Sequence, residues 1–432
     1  MQLAACCRWF DSKLIRHLVE QHDLDFAAAA DDRQNCFGWL TQLSFVEPVG
    51  RHWRLDDVAR DIFRQSLERD SLERIHASLA QYFQAQSARE VEPQSPPSQT
   101  YETPDWLSLR ADYLYHLLFT RQDNLQTEFI TRLLEARYFR KDDLIRIPFR
   151  AIAAEFELSE HPLIRHRTRQ FLQRIHPAIE YSWAVLEADS IDYAYNENNL
   201  GLSQIATDQA VETCLKDPKQ FQGLAQFAAL LYKSRRCAEV EKSQWLQQAK
   251  NQANPLTAFE TPEFMADLWV YKLGNSFHDA GFFEAEIAAY DAALAIKPDK
   301  HEALYNKGIA LSNLGRYEEA IAAYDIALAI KPDKHEALNN KGIALSNLGR
   351  YEEAIAAYDI ALAIKPDQHE ALNNKACAYG LKCDIENSLK FLQEAIAKDP
   401  ENRDMAKNDT DFVSIRADER FRALVEGNDQ LA

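Results

Sequence analysis

Several side chains recur at spacings that could do chemistry. Histidines stand at His301, His335 and His369, and asparagines at Asn306, Asn340 and Asn374, each set 34 residues apart. Arg165, His166, Arg167, Arg169 and Arg174 form the one dense basic cluster. Histidine can bind a metal, but helices packed side by side stand about 10 Å apart. That separation is too wide for one ion, whose ligands lie about 2 Å from it. The histidines are therefore expected at helix starts, exposed to water. Asparagine carries a donor and an acceptor together, so a row of it can grip an extended backbone of any sequence. The competing reading is a solvated residue copied by duplication. The basic cluster reads either as a solvated helix face balanced by Glu155, Glu157 and Glu160, or as a contact for an acidic or phosphate-bearing partner.

Signatures of catalysis are missing. There is no Ser-His-Asp signature, HExxH, metal-binding cysteine pair, glycine-rich dinucleotide loop or GxxxxGK[ST]. Glu180, Glu187 and Asp189 lie near one another without a spacing that singles out acid–base work. Tyr193-Ala194-Tyr195-Asn196 reads as a helix end or a partner surface. Only 12 glycines in 432 residues argue against the loop-rich scaffolds of most large enzymes. The expectation is a non-enzyme with no cofactor and no metal, a spatially assembled hydrolase or transferase site being the remaining alternative.

The elements behind these residues are helical. Hydrophobic residues make up 46% and charged residues 27%, which is enough for a sizeable core. At about 150 residues per domain the length fits two to four domains. Net charge is -18, with -11 of it in residues 261–432, which is no footprint for nucleic acid or an anionic membrane. Seven cysteines without a CxxC read as reduced thiols, and the expected compartment is the cytoplasm. No run of 18 apolar residues exists to span a membrane.

The strongest signal is a duplication. Residues 301–334 and 335–368 agree at 32 of 34 positions, differing only at Tyr305/Asn339 and Lys334/Gln368. The same frame fits 267–300 and 369–402 more loosely. Each unit holds two apolar-striped helices, with Leu304, Gly308 and Leu311 on one and Ala320, Tyr324 and Ala327 on the other. Gly308 and Ala320 are small where the axes must approach. Gly315 frees the turn between the helices, and Pro332 ends the second. One unit cannot bury both its faces, whereas a stack can.

These features resemble the tetratricopeptide repeat (TPR) family, whose period is 34 residues. The family's small residue falls at Gly274, Gly308, Gly342 and Ala376. Its aromatic falls at Tyr290, Tyr324 and Tyr358, with Leu392 in the last unit. Its proline falls at Pro298, Pro332, Pro366 and Pro400. The outer units depart from the pattern at Glu286, Ser388 and Cys383. Residues 409–427 read as a capping helix with Phe412, Ile415, Phe421 and Leu424 turned inward. The resemblance implies a concave groove lined by the first helices. Its candidate partner-binding residues are Tyr305, Asn306, Ile309 and Asn313, then Asn339, Asn340, Ile343 and Asn347, then Asn373 and Asn374. Glu302, Glu336 and Glu370 stand where a carboxylate-binding groove would need cations, which argues against an acidic C-terminal ligand.

Residues 1–90 alternate helices with a short hairpin, in which Leu43-Ser44-Phe45-Val46 and His52-Trp53-Arg54-Leu55 flank a turn at Glu47-Pro48-Val49-Gly50. This is a winged-helix outline. It resembles the winged-helix segment of STAND-type signalling ATPases, with Asp57 and Arg60 matching and Asp56 in place of that family's histidine. The phosphate-cradling loop of such ATPases is absent, so the resemblance implies the C-terminal half of such an ATPase, either split off from it or a separate subunit that associates with one. Residues 91–105 read as a Pro/Ser-rich linker. Residues 106–260 read as helical hairpins, with Trp106, Leu109, Tyr113 and Leu117 as one buried stripe, and their YLYHLL run resembles the sensor-arm repeats of those ATPases.

The expected architecture is all-α. A winged-helix-like domain (1–90), the linker (91–105) and a helical domain (106–260) precede four TPR units (267–402), a capping helix and a tail (403–432). The expected function is a protein–protein interaction adaptor or sensor arm that holds a peptide or partner helix in the groove. The alternative is a DNA-binding transcriptional regulator with a TPR sensing arm. Against it, residues 1–100 carry 11 basic and 15 acidic side chains, where a DNA-binding face should be basic.

Overall fold

The computed structural model describes residues 1–22, 36–158, 163–180 and 209–427, and among these the chain is almost entirely helical. Glu160, Glu187, Asp189 and residues 193–196 lie outside the described residues, as do the side chains of Glu155, Glu157 and Glu180. The chain divides into two compact units, Met1–Thr261 and Pro262–Ala432.

In the second unit the paired helices are His301–Asn313 with Tyr317–Ile330, His335–Asn347 with Tyr351–Ile364, and His369–Leu381 with Ile385–Lys398. Ahead of them, Pro262–Asp267, a π turn at Leu268–Gly274 and Asn275–Asp279 lead to Phe283–Ile296. The pairs close on one recurring contact. A Cβ added to Gly308 would stand 2.4 Å from Cε1 of Tyr324, and Gly274 and Gly342 meet Tyr290 and Tyr358 at the same distance. The tyrosine ring thus lies directly on the bare backbone of the first helix. All three tyrosines are buried. In the last unit the pair becomes Ala376 and Leu392, both fully buried. The larger small residue accompanies the narrower partner, as close packing requires.

The turns follow the sequence with one exception. Gly281, Gly315 and Gly349 hold left-handed backbone, with φ of 70°, 72° and 73°. The last turn places Cys383 there, at φ 61°. A Cβ in that region crowds the following carbonyl.

The departures of the outer units have structural reasons. Glu286 is buried, accepts a hydrogen bond from the Tyr290 hydroxyl at 2.9 Å, and lies 3.1 Å from Nδ1 of His278. Burial pushes its carboxyl above the ordinary range. Ser388 donates to the carbonyl of Ala376 at 2.9 Å. The cap differs from the single helix expected over 409–427. It is a helix at Glu401–Asn408, a tight turn at Thr410–Phe412 and a second helix at Glu419–Glu426. Asp409 and Asp418 each accept a hydrogen bond from a backbone amide two residues on, and so break the segment. Phe412, Ile415, Phe421 and Leu424 are all buried, as the pattern required.

The first unit has its own core. Its hairpin pairs Val46–Val49 with His52–Leu55, and Phe10 bridges Trp53 on the far side. The first strand therefore runs through Glu47-Pro48-Val49, where a turn was expected. Pro48 is tolerated because that strand is the edge. The turn shrinks to Gly50-Arg51, with Gly50 at φ 60°. The expected linker is also folded. Helices Pro97–Thr100 and Pro104–Leu117 occupy it in part, Tyr101 is buried, and Ser98 Oγ donates to Glu260 at 2.6 Å. Asp112 accepts from Arg8 at 2.8 Å and Trp9 at 2.7 Å, tying the start of the chain to Pro104–Leu117. In the expected stripe, Trp106, Tyr113 and Leu117 are buried and Leu109 is partly so.

Three outcomes follow in urea unfolding of the full chain. Gly342→Ala destabilises by about 2 kcal/mol, overpacking outweighing the gain in helix propensity. Adding Tyr358→Leu to it recovers part of that loss, giving a positive coupling in the double-mutant cycle. Cys383→Gly stabilises by up to about 1 kcal/mol through relief of the left-handed strain.

Candidate functional site

The first helices of successive repeats form one face, and repeat-to-repeat contacts decide what is left open on it. Lys307, Lys341 and Lys375 reach back to Asp291, Asp325 and Asp359 of the preceding repeat, each at 2.5 Å. Asparagines make a second tie. Asn340 donates to the Tyr305 hydroxyl at 3.2 Å, and Asn374 donates to Asn339 at 3.0 Å. Lys334 lies 4.3 Å from the centre of the Tyr305 ring, a cation–π contact.

The ten candidate groove residues therefore separate by role. Asn339 and Asn373 are buried. Tyr305, Asn306, Ile309, Asn340 and Asn374 are half-buried. Asn313, Ile343 and Asn347 are exposed. The asparagine amides at 340 and 374 are engaged between repeats, a use the 34-residue spacing alone could not reveal. Ile309 and Ile343 stand one repeat apart among amides, with Glu302, Glu336 and Glu370 at the helix starts. Chemically this face offers apolar contacts, amide donors and acceptors, and an acidic margin.

His301, His335 and His369 are half-buried rather than exposed. Each Nε2 lies 3.4–3.6 Å from the glutamate that follows it in sequence.

The basic cluster is also placed. Arg165 pairs with Glu73 at 2.5 Å, and Arg121 meets the same carboxylate at 2.6 Å. Arg165, His166, Arg167 and Arg174 line a cleft of about 860 Å³ together with Arg69 and Lys216. Asp123 and Asp217 line it too, so the charge there is mixed. None of the six described cysteines forms a disulfide. No described helix is long and apolar enough to cross a membrane.

The tetratricopeptide repeat family matches residues 271–335, 305–369 and 339–403, so the C-terminal region carries TPR repeats. No curated protein matches the chain. Among solved structures, MamA is similar at 20% identity over 38% of this chain and 95% of its own, with a TM-score of 0.33. MamA (residues 41 to the end) from Desulfovibrio magneticus RS-1 is similar at 18% identity over 40% and 96%, with a TM-score of 0.33. YrrB, titled a TPR protein with an unusual peptide-binding site, is similar at 19% identity over 40% and 86%, with a TM-score of 0.32.

Removing the inter-repeat amides has a stability readout. Asn340→Ala and Asn374→Ala each lower the unfolding free energy of the full chain by about 1 kcal/mol. Asn347 donates only to the carbonyl of Ile343 in its own helix, at 2.9 Å. Asn347→Ala changes stability by less than about 0.5 kcal/mol.

Proposed function

We propose that the first-helix face of the TPR repeats binds a peptide or partner helix, and that the chain is a protein–protein interaction adaptor or the sensor arm of a signalling system. The carrying observation is the exposed set Asn313, Ile343 and Asn347 beside half-buried Ile309, repeated in register. Successive repeats stand about 10 Å apart. Three residues of extended chain span the same distance at about 3.3 Å each. A bound segment with apolar side chains at that interval would meet Ile309 and Ile343 in turn, with asparagine amides beside its backbone. The acidic margin and the -11 charge of residues 261–432 favour a basic segment over an acidic one.

On this reading the asparagines at 340 and 374 hold the surface in shape rather than contact the ligand. The hairpin and its following helix remain a proposal as a winged-helix-like element of a STAND-type system. In support, Asp56 accepts from the Ala59 amide at 2.8 Å as a helix cap, and Arg60 pairs with Asp57 at 3.1 Å. The six described cysteines, none in a disulfide, agree with a reducing, cytoplasmic setting.

The test is an array of immobilised nonapeptides of graded charge and apolar spacing, probed with the full chain and with Ile343→Asp. Ile343 is 37% exposed, so the variant should keep its helical circular dichroism. Binding should favour basic, apolar-studded peptides, weaken as salt rises, and fall at least tenfold in the variant. Equal binding by both proteins would sink the groove reading.

A further inference from the structure

The last repeat and the cap meet at a set of donor atoms of which only Asn373, buried, was among the groove candidates. Asn373 and Cys377 stand four residues apart on one face of the helix His369–Leu381. Asp409 and Asp411 belong to the turn that the cap lays against that helix. Sγ of Cys377 and carboxylate oxygens of Asp409 and Asp411 all lie within 4.8 Å of one another. Asp409 is held in place, because one of its oxygens accepts the Asp411 amide at 2.9 Å. Its other oxygen lies 3.6 Å from Sγ of Cys377.

A thiol beside one carboxylate is an ordinary polar contact. Two further observations point to a ligand. A tetrahedral zinc ion with a sulfur at about 2.3 Å and an oxygen at about 2.0 Å keeps those atoms about 3.5 Å apart. The Cys377–Asp409 separation has that value, and a second carboxylate stands within reach. The other observation is Asn373. It is 6% exposed, and its Oδ1 is buried with no hydrogen-bond partner. Asn339, one repeat earlier, has its oxygen satisfied by Asn374. The Asn373 amide is aimed at the cluster, with Nδ2 3.9 Å from Sγ of Cys377. A half-turn of the amide keeps its shape and exchanges nitrogen for oxygen. Oδ1 would then face Sγ of Cys377, and a cation held by that sulfur and the carboxylates would give the amide oxygen a strong partner.

We propose that Cys377, Asp409, Asp411 and Asn373 form a site for a divalent transition metal, zinc fitting best, which pins the cap to the last repeat. One sulfur and three oxygens suit zinc or cobalt, whereas magnesium and calcium avoid sulfur. On binding, the Cys377 S–H bond breaks, the sulfur becomes the metal's thiolate ligand, and one proton passes to solvent. No oxidant or reductant is involved. Cys377 occupies the place of Ile309 and Ile343, so the metal would sit at the capped end of the first-helix face. The site stands whether or not that face binds a peptide.

The test is titration of the metal-free full chain with cobalt(II), followed by zinc. One cobalt per chain should bind with a thiolate-to-cobalt absorption band, which zinc should then abolish. Bound zinc should also protect Cys377 from alkylation. Cys377→Ser should lose the band and Cys383→Ser should keep it. Asp411→Asn, on a half-exposed residue and checked by circular dichroism, should weaken binding by roughly tenfold or more. Absence of the band, its persistence in Cys377→Ser, or unchanged affinity in a folded Asp411→Asn would each overturn the proposal.

Discussion

The repeat region depends on a tyrosine ring lying against a glycine backbone. That contact sets how closely the two helices of a unit approach, and the approach sets where every other side chain of the unit falls. A methyl group at Gly308 or Gly342 would occupy space the ring already fills. The tyrosine hydroxyl is also buried, so it needs a polar neighbour. In the second repeat Ser312 lies 3.5 Å from the Tyr324 hydroxyl, and in the first repeat Glu286 takes that role for Tyr290. The last unit removes the hydroxyl altogether with Leu392, and its equivalent of Ser312 is Gly380, against which Phe412 of the cap packs. One change of ring thus accompanies a change of neighbour and opens room for the cap.

Once the units have this shape, stacking them consumes polar groups that look free in sequence. The Lys307–Asp291 and Lys341–Asp325 pairs are partly exposed, so each contributes little by itself. Their regularity fixes register more than it adds stability. The asparagine amides do the same work nearer the core. What remains for a partner is what the stack does not need, namely Ile343, its neighbouring asparagines and the acidic margin. The face is consequently less polar than ten aligned candidates suggested.

Much of this fold was legible because duplication made the period visible and each special residue had a local cause. Gly315 and Gly349 announce left-handed turns, and Phe412, Ile415, Phe421 and Leu424 announce a buried cap stripe. The illegible parts depend on contacts between distant residues. Asn340 reads as a ligand contact until its partner Tyr305 is placed beside it. Residues 91–105 read as a linker because proline and serine dominate them, yet Tyr101 finds a buried place and Ser98 a partner at Glu260. The strand through Pro48 was hidden because proline's missing N–H matters only where a neighbour needs it. Cys377 and Asp409 lie 32 residues apart, so no short motif could join them.

The outer repeats show how an array ends. A repeat that faces another copy can stay close to the common sequence, because the same surfaces meet at every junction. A repeat that faces something else must change, and the changes fall where the missing neighbour would have packed. Cys377 replaces an isoleucine, Asn373 has no counterpart of the bond that Asn374 gives Asn339, and the aspartates of the cap turn come in from outside the pattern. The polar mismatch at that junction is what a copied sequence leaves when the copying stops. A chain that tolerates a buried thiol, an unpartnered amide oxygen and two carboxylates in one place must either accept the cost in cap stability or recruit a group that satisfies all four. The second course would make closure of the cap conditional on that group, which a purely apolar junction could not do.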